Sequence, residues 1–161
     1  MSEIEIRAAT EDDVPLILSL IKELAEYERL SHEVRATEEL LRNSLFGERR
    51  VAEALLGYLE DDPAGLALFF HNFSTFLGKP GIYLEDLYVR PELRGAGVGR
   101  ALLVHLARLA KERGCGRLEW SVLDWNESAI GFYKGVGASP VSGWTVYRVA
   151  GETLDRLAAG R

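Results

Sequence analysis

Three alternating glycines, Gly95, Gly97 and Gly99, lie between Arg94 and Arg100 and follow the run Tyr83-Leu84-Glu85-Asp86-Leu87-Tyr88-Val89. Glycine reaches backbone angles closed to other residues, so such a loop lets successive N–H groups turn toward one point. A helix predicted from about Val98 would add its own unpaired N–H groups and the positive end of its dipole. This is a seat for a phosphate or pyrophosphate. An ordinary glycine-rich turn between strand and helix has the same composition, and the short loop alone does not separate the two readings.

Spacing narrows the phosphate chemistry. A dinucleotide-binding Gly-x-Gly-x-x-Gly needs its third glycine at position 100 or 102, where the chain has Arg100 and Leu102. A nucleoside-triphosphate loop needs Gly-Lys followed by Ser or Thr, and that sequence is absent from the chain. Arg94-x-x-Gly97-x-Gly99 remains.

The elements that must position this loop can be read from hydrophobic period. Tyr83–Val89 is apolar and aromatic and predicts a buried strand, which Pro91 closes because it cannot donate to a ladder. Leu102, Leu103, Leu106, Leu109 and Ala110 line one face of a helix from about Val98 to Arg113, stopped by Gly114. Upstream, Glu3–Ala8 alternates as a first strand. Thr10 and the acidic Glu11, Asp12 and Asp13 then open a long amphipathic helix reaching about Glu28. Thr37 caps a shorter helix ending near Gly47. Strand-like runs at 51–58 and 64–73, separated by Asp61-Asp62-Pro63, predict an antiparallel hairpin, and Phe73–Gly81 predicts a loop. A strand at 117–123 precedes a helix capped by Asn126, and Gly143–Val149 predicts a last strand before a short helix at 152–159. The order β-α-α-β-β-β-α-β-α-β predicts one α/β domain over residues 1–161, with a mixed central sheet flanked by helices.

Composition bounds the function. At 161 residues, 47% hydrophobic and 27% charged, the chain suits one soluble globular core, without a low-complexity tract to mark a boundary. Cys115 is the only cysteine, so no disulfide forms within the chain and no multi-cysteine metal site can be built; His32, His71 and His105 are too scattered to suggest one. A reducing cytoplasm fits, and the first residues lack the basic-then-apolar pattern of a leader. The net charge of −6 argues against nucleic acid, and no stretch approaches membrane-spanning length.

With both the Arg94–Gly99 loop and the later run Asn126-Glu127-Ser128-Ala129-Ile130-Gly131-Phe132-Tyr133 at suitable separation, nearly the whole chain resembles the GNAT N-acetyltransferase superfamily and its acyl-CoA N-acyltransferase fold. Leu20–Glu28, Tyr83–Asp86 and Trp125–Glu127 resemble, more narrowly, the diamine (spermidine/spermine) N-acetyltransferases and their thialysine-acetylating relatives. The resemblance implies acetyl-CoA as cosubstrate, a small primary amine as acceptor, no metal and a homodimer. The apolar Trp144, Val146, Tyr147, Val149 and Leu154 fit either a dimer contact or the chain's own core.

What the resemblance implies residue by residue can be set against the chemistry. An alkyl ammonium has a pKa of about 10, so at neutral pH it must lose a proton before it attacks a thioester. Glu85 matches the family's general base and Tyr133 the acid that protonates the leaving thiolate. Leu87, Tyr88 and Val89 match the residues whose backbone holds the pantetheine arm. Arg94, Gly95, Ala96, Gly97, Val98, Gly99 and Arg100 would hold the pyrophosphate, and Asn126, Glu127, Ser128 and Ala129 would complete the cofactor groove. Tyr27, Glu28, Glu85, Glu119, Trp120 and Ser121 are candidate amine contacts. One of Glu85 and Asp86 is expected to face away from the site, since strand side chains alternate.

Polyamine-type relatives carry further acids in two loops that here read Phe73–Leu77 and Ser139–Gly143, with no acid in either. A long polycation would lose partners, so the expectation tilts to a short diamine or a lysine-like amino acid, with a polyamine still open. Acetylation of a protein amine, or a silent acyl-CoA sensor on the same fold, stays open on these residues.

Overall fold

A computed structural model of the chain describes residues 3–161. Its contacts divide into two compact units, one ending at Leu123 and the other spanning Asp124–Arg161.

The first unit is a five-stranded sheet in sequential order, β1 (Ile4–Ala8), β2 (Glu53–Leu59), β3 (Asp62–Ser74), β4 (Lys79–Val89) and β5 (Leu118–Trp120). The first four run antiparallel, and β5 lies parallel to β4. That parallel step needs a crossover, which α3 (Val98–Glu112) provides. Helices α1 (Val14–Tyr27) and α2 (Glu38–Phe46) fall between β1 and β2.

Apolar alternation builds two core layers. One collects Phe69, Ile82 and Leu84 of the sheet against Val98, Leu102 and Leu106 of α3. The other collects Leu56, Leu66 and Tyr88 against Ile17, Leu20 and Leu24 of α1 and Leu45 of α2. Each fully buried leucine or valine contributes about 1.5–3 kcal/mol, which fixes α1 and α3 to opposite faces of the sheet. Glycine allows α3 to come close: a Cβ at Gly57 would lie 2.8 Å from Val98 Cγ1, and one at Gly65 would lie 3.3 Å from the same atom. The start of α3 is thereby pressed onto the sheet, and the glycine loop before it is held at the end of β4.

The entry to α1 follows its cap signal, with the Thr10 N–H donating to Asp13 Oδ2 at 2.8 Å. The β2–β3 turn is two residues long, because Leu59 pairs with Asp62 and both Glu60 (φ 50°) and Asp61 (φ 68°) are left-handed. Pro63 is therefore inside β3 and not in the turn. The segment expected as a loop over Phe73–Gly81 is largely hairpin, since Phe73 pairs with Pro80 and Ser74 with Lys79.

The second unit holds α4 (Glu127–Gly135) and α5 (Gly151–Ala158). The strand expected over Gly143–Val149 does not form: the segment belongs to no sheet among the described residues, and Trp144 and Tyr147 are exposed. Its alternation marks a surface suited to pairing, but a strand exists only where a partner backbone is supplied.

Candidate active site

The site of the first unit begins where β4 loses one neighbour. Pairing with β5 covers Ile82–Leu118, Tyr83–Glu119 and Leu84–Trp120, so from Glu85 to Val89 the β5-facing edge of β4 pairs with no strand among the described residues. Backbone groups on that edge suit an extended ligand that hydrogen-bonds as a strand does. Leu87, Tyr88 and Val89 occupy this stretch.

Past Val89 comes the loop. Gly95 (φ 84°) and Gly97 (φ 98°) are both left-handed, and Gly97 caps α3. The first helical bond runs from the Ala101 N–H to the Gly97 carbonyl at 2.9 Å, which leaves the N–H groups of Val98, Gly99 and Arg100 without a helical acceptor. These donors at a helix start, beside exposed Gly95 and Ala96, fit a pyrophosphate.

Arg94 takes a less expected position. Its Nε donates to the Val89 carbonyl at 2.9 Å, and its guanidinium lies 5.1 Å from the Tyr27 ring centroid and 5.9 Å from that of Tyr88. Tyr88 in turn donates its phenol to Glu23 Oε1 at 3.2 Å, and Arg90 pairs with Glu23 at 3.1 Å. Burial, with the Glu23 carboxylate beside it, pushes the Tyr88 phenol up to about 12, so it stays a hydrogen-bond donor. Together these contacts pin the last turn of α1 to the end of β4.

The chemistry-bearing acids gather there. Leu68 pairs with Asp86 and Phe69 with Leu84, so Glu85 is the extra residue of a β-bulge. The bulge exposes Glu85 and half-buries Asp86, which faces the α1 side as Leu68 does. Burial first, then the charges of Glu85 and Glu28, raise the Asp86 carboxyl to about 6. Burial also raises Glu28, at the end of α1. None of the three belongs to an ion pair among the described residues. In the sequence Asp86 stands out only as the neighbour of Glu85; a half-buried carboxylate beside two others is visible only once the bulge is known.

Expected amine contacts divide by face. Glu119 is half-buried and accepts from Asn72 Nδ2 at 3.4 Å, while the Ser121 hydroxyl and the Tyr83 phenol are 2.6 Å apart. Trp120 lies on the other face, packed against the α3 core. Tyr27 and Glu28 sit together at the end of α1.

In the second unit, α4 starts at Asn126, which is 7% exposed and accepts from the Ala129 N–H at 3.3 Å. Glu127 and Ser128 form its exposed first turn, and Ala129 is half-buried. Tyr133 is half-buried near the end of α4, its ring centroid 5.6 Å from that of Phe132.

A mixed sheet whose fourth strand parts from its neighbour before a glycine loop and helix start has backbone groups suited to an extended amide arm ending in a pyrophosphate. The Acetyltransferase (GNAT) family pattern matches residues 17–138, and the chain belongs to that family. It is an acetyl-CoA-dependent N-acetyltransferase, related to thialysine and diamine acetyltransferases. It is 40% identical over 169 residues to the thialysine N-epsilon-acetyltransferase of Bos taurus, covering 98% of this chain and 99% of that one. It is 34% identical to the L-ornithine N5-acetyltransferase of Arabidopsis thaliana, covering 94% and 86% respectively. Among solved structures, an integron cassette protein from V. cholerae superposes with a TM-score of 0.79 at 31% identity, covering 96% of this chain and 97% of that one. No helix among the described residues is long and apolar enough to cross a membrane.

Proposed function

We propose that this acetyltransferase acts on a primary amine of a small substrate with a second cationic centre, a short diamine or a lysine-like amino acid. The observation that carries the reading is the trio Glu28, Glu85 and Asp86, gathered near the open edge of β4 and in no ion pair among the described residues. Clustered carboxylates repel one another and are costly to bury, and an ammonium from outside relieves both costs. The relatives named for thialysine and ornithine support a substrate of this size.

Within this reading, acetyl-CoA supplies the thioester. The N–H groups around Gly95–Arg100 hold its pyrophosphate, and the edge of Leu87–Val89 holds its arm. Glu28 attracts the ammonium, and the Glu85–Asp86 pair takes up its proton. Asp86, with a carboxyl near 6, is ionised at neutral pH yet a stronger base than an ordinary aspartate. Tyr133 is assigned the thiolate-protonating role from its place in the Asn126–Tyr133 signature. A homodimer is part of the proposal, supported by the exposure of Trp144 (78%) and Tyr147 (92%), and light scattering of the purified protein tests it.

Release of free thiol from acetyl-CoA with putrescine, spermidine, spermine, lysine, thialysine and a lysine-bearing peptide tests the substrate. Turnover concentrated on putrescine, lysine or thialysine is expected. Activity on the peptide alone would sink the reading.

A further inference from the structure

We infer that Glu23 is a positioning residue for the amine: its carboxylate, bonded at once to Tyr88 and Arg90 at the end of β4, fixes how closely the last turn of α1 brings Glu28 to Asp86. This rests on the proposed amine acetylation and adds what holds the two sides of the amine site at their distance.

Glu23 lies one helical turn before Tyr27 and shares its face of α1, with Glu28 next in the chain. Its Oε1 accepts from the Tyr88 phenol at 3.2 Å and from Arg90 Nε at 3.3 Å, and its Oε2 accepts from Arg90 Nη2 at 3.1 Å. Arg90 is itself held by β3: its Nη1 donates to the Pro63 carbonyl at 3.2 Å and its backbone N–H to the Ala64 carbonyl at 2.8 Å. The Glu23 and Arg90 side chains are 33% and 23% exposed, which separates this bridge from a solvated surface pair of little worth.

The two elements joined by this clasp are not equally fixed. β4 is locked by its ladder with β3, in which Tyr88 pairs with Leu66 and Val89 with Gly65. α1 meets the sheet through Ile17, Leu20 and Leu24, and apolar packing is non-directional, so it sets the gap between helix and sheet more firmly than the slide or turn of the helix. Hydrogen bonds from one carboxylate to two residues of the sheet supply the missing direction. A force also works against the closed position. The charges acting on Asp86 are those of Glu85 on its own strand and Glu28 on α1, while its ladder partner Leu68 is uncharged. Like charges push the end of α1 off the sheet, and Glu23 opposes that push one turn earlier. Without the clasp the sheet stays and the helix end withdraws, taking Glu28 with it.

The test uses whichever of putrescine, lysine and thialysine is turned over fastest. Glu23→Gln fills the same space and keeps an acceptor for the Tyr88 phenol, whereas Glu23→Ala loses every bond of the clasp. The amine KM should rise about tenfold in Glu23→Ala and less in Glu23→Gln, with kcat and the dissociation constant of CoA within about twofold. The Asp86 carboxyl, followed by NMR in protein carrying ¹³C-labelled aspartate, should titrate at lower pH in both, because Glu28 has withdrawn. Arg90→Gln separates position from charge. It keeps the Glu23 carboxylate and removes its cation, so a direct effect of charge would raise the Asp86 titration, whereas a released helix end lowers it. An amine KM or an Asp86 titration unmoved in Glu23→Ala, equal losses of affinity for amine and CoA, or a raised Asp86 titration in Arg90→Gln overturns the clasp while amine acetylation stands. An unaltered enzyme inactive on every amine overturns the proposed function instead, and the Asp86 titration still decides the clasp.

Discussion

The Arg94 guanidinium lies 5.1 Å over the Tyr27 ring while its Nε is bonded to the Val89 carbonyl at 2.9 Å. One side chain therefore links the first residue of the phosphate loop to the end of the helix that carries Tyr27 and Glu28. The proposed cofactor seat and the proposed amine wall are joined through it.

Replacing Arg94 should therefore disturb both substrates. Arg94→Ala is expected to raise the KM for acetyl-CoA and for the amine, each by about tenfold, since a stacked cation and a charged hydrogen bond are each worth about 1 kcal/mol or more. Arg94→Lys keeps the charge but loses the planar stack. It should recover most of the acetyl-CoA KM and little of the amine KM. Recovery of both would mean that Arg94 acts only as a charge near the phosphates.

The raised carboxyl of Asp86 has a consequence for stability, with a sign fixed by linkage. Between its ordinary value of 3.8 and about 6, the folded protein holds a proton that the unfolded chain has released. Stability contributed by this group is thus greatest at low pH and is lost as pH rises through 6. Asp86→Asn should stabilise the protein by about 1–3 kcal/mol at pH 7–8 and by little near pH 4. Thermal unfolding of both proteins across that range checks it; a gain independent of pH would show that Asp86 is ionised without penalty.

Activity separates the two neighbouring acids. If Glu85 accepts the proton, Glu85→Gln should depress turnover most at low pH, because alkaline pH deprotonates the amine in solution and relieves the need for a base. If Asp86 does the work, the acid limb of the pH dependence persists in Glu85→Gln, moved to lower pH because the Glu85 charge that helps raise Asp86 is gone, and disappears in Asp86→Asn. Superimposable pH–rate profiles for both variants and the unaltered enzyme would place the base elsewhere.

The α/β class, the strand–glycine loop–helix unit and the Asn126 cap were legible because each has a local cause: period, glycine spacing, a capping side chain. The bulge was not. Glu85 and Asp86 are adjacent acids, and which of them turns inward depends on Leu68 and Phe69 across the ladder, a pairing that no short stretch encodes. Alternation alone predicts opposite faces for the two and stops there. The segment Gly143–Val149 failed for the converse reason, since it has the pattern of a strand and lacks a paired neighbour. Arg94 was legible as part of the loop motif, whereas its stack on Tyr27 joins residues 67 positions apart and is a product of the fold.

A backbone test of the phosphate seat is available at Gly97. Its φ of 98° is unfavourable for any side chain, while a Cβ there would meet only Ile4 Cδ1, at an ordinary 3.6 Å. Gly97→Ala should therefore fold, at a cost of about 1–2 kcal/mol of backbone strain. The relaxation that relieves this strain would turn the N–H groups of Val98 and Gly99 off their common target. CoA affinity measured directly by calorimetry should fall at least tenfold. Unchanged affinity in a folded variant would remove the loop from the cofactor site.

Tyr133 offers the cleanest separation of chemistry from binding. Phenylalanine keeps the ring that lies beside Phe132 and removes only the hydroxyl, so α4 should fold as before. A phenol near 10 is a competent proton donor to a departing alkyl thiolate, whose conjugate acid has a pKa of about 8.5, and general acids of this kind contribute roughly 10²–10⁴-fold. Tyr133→Phe should accordingly lower kcat by about two orders of magnitude with the dissociation constant of CoA within twofold of the unaltered value. The deficit should shrink as the leaving group becomes more acidic, because a thiolate that departs unaided has no use for the proton. Measuring kcat with acetyl-CoA and with a thioester of a more acidic thiol distinguishes this from a packing defect, which would slow both equally.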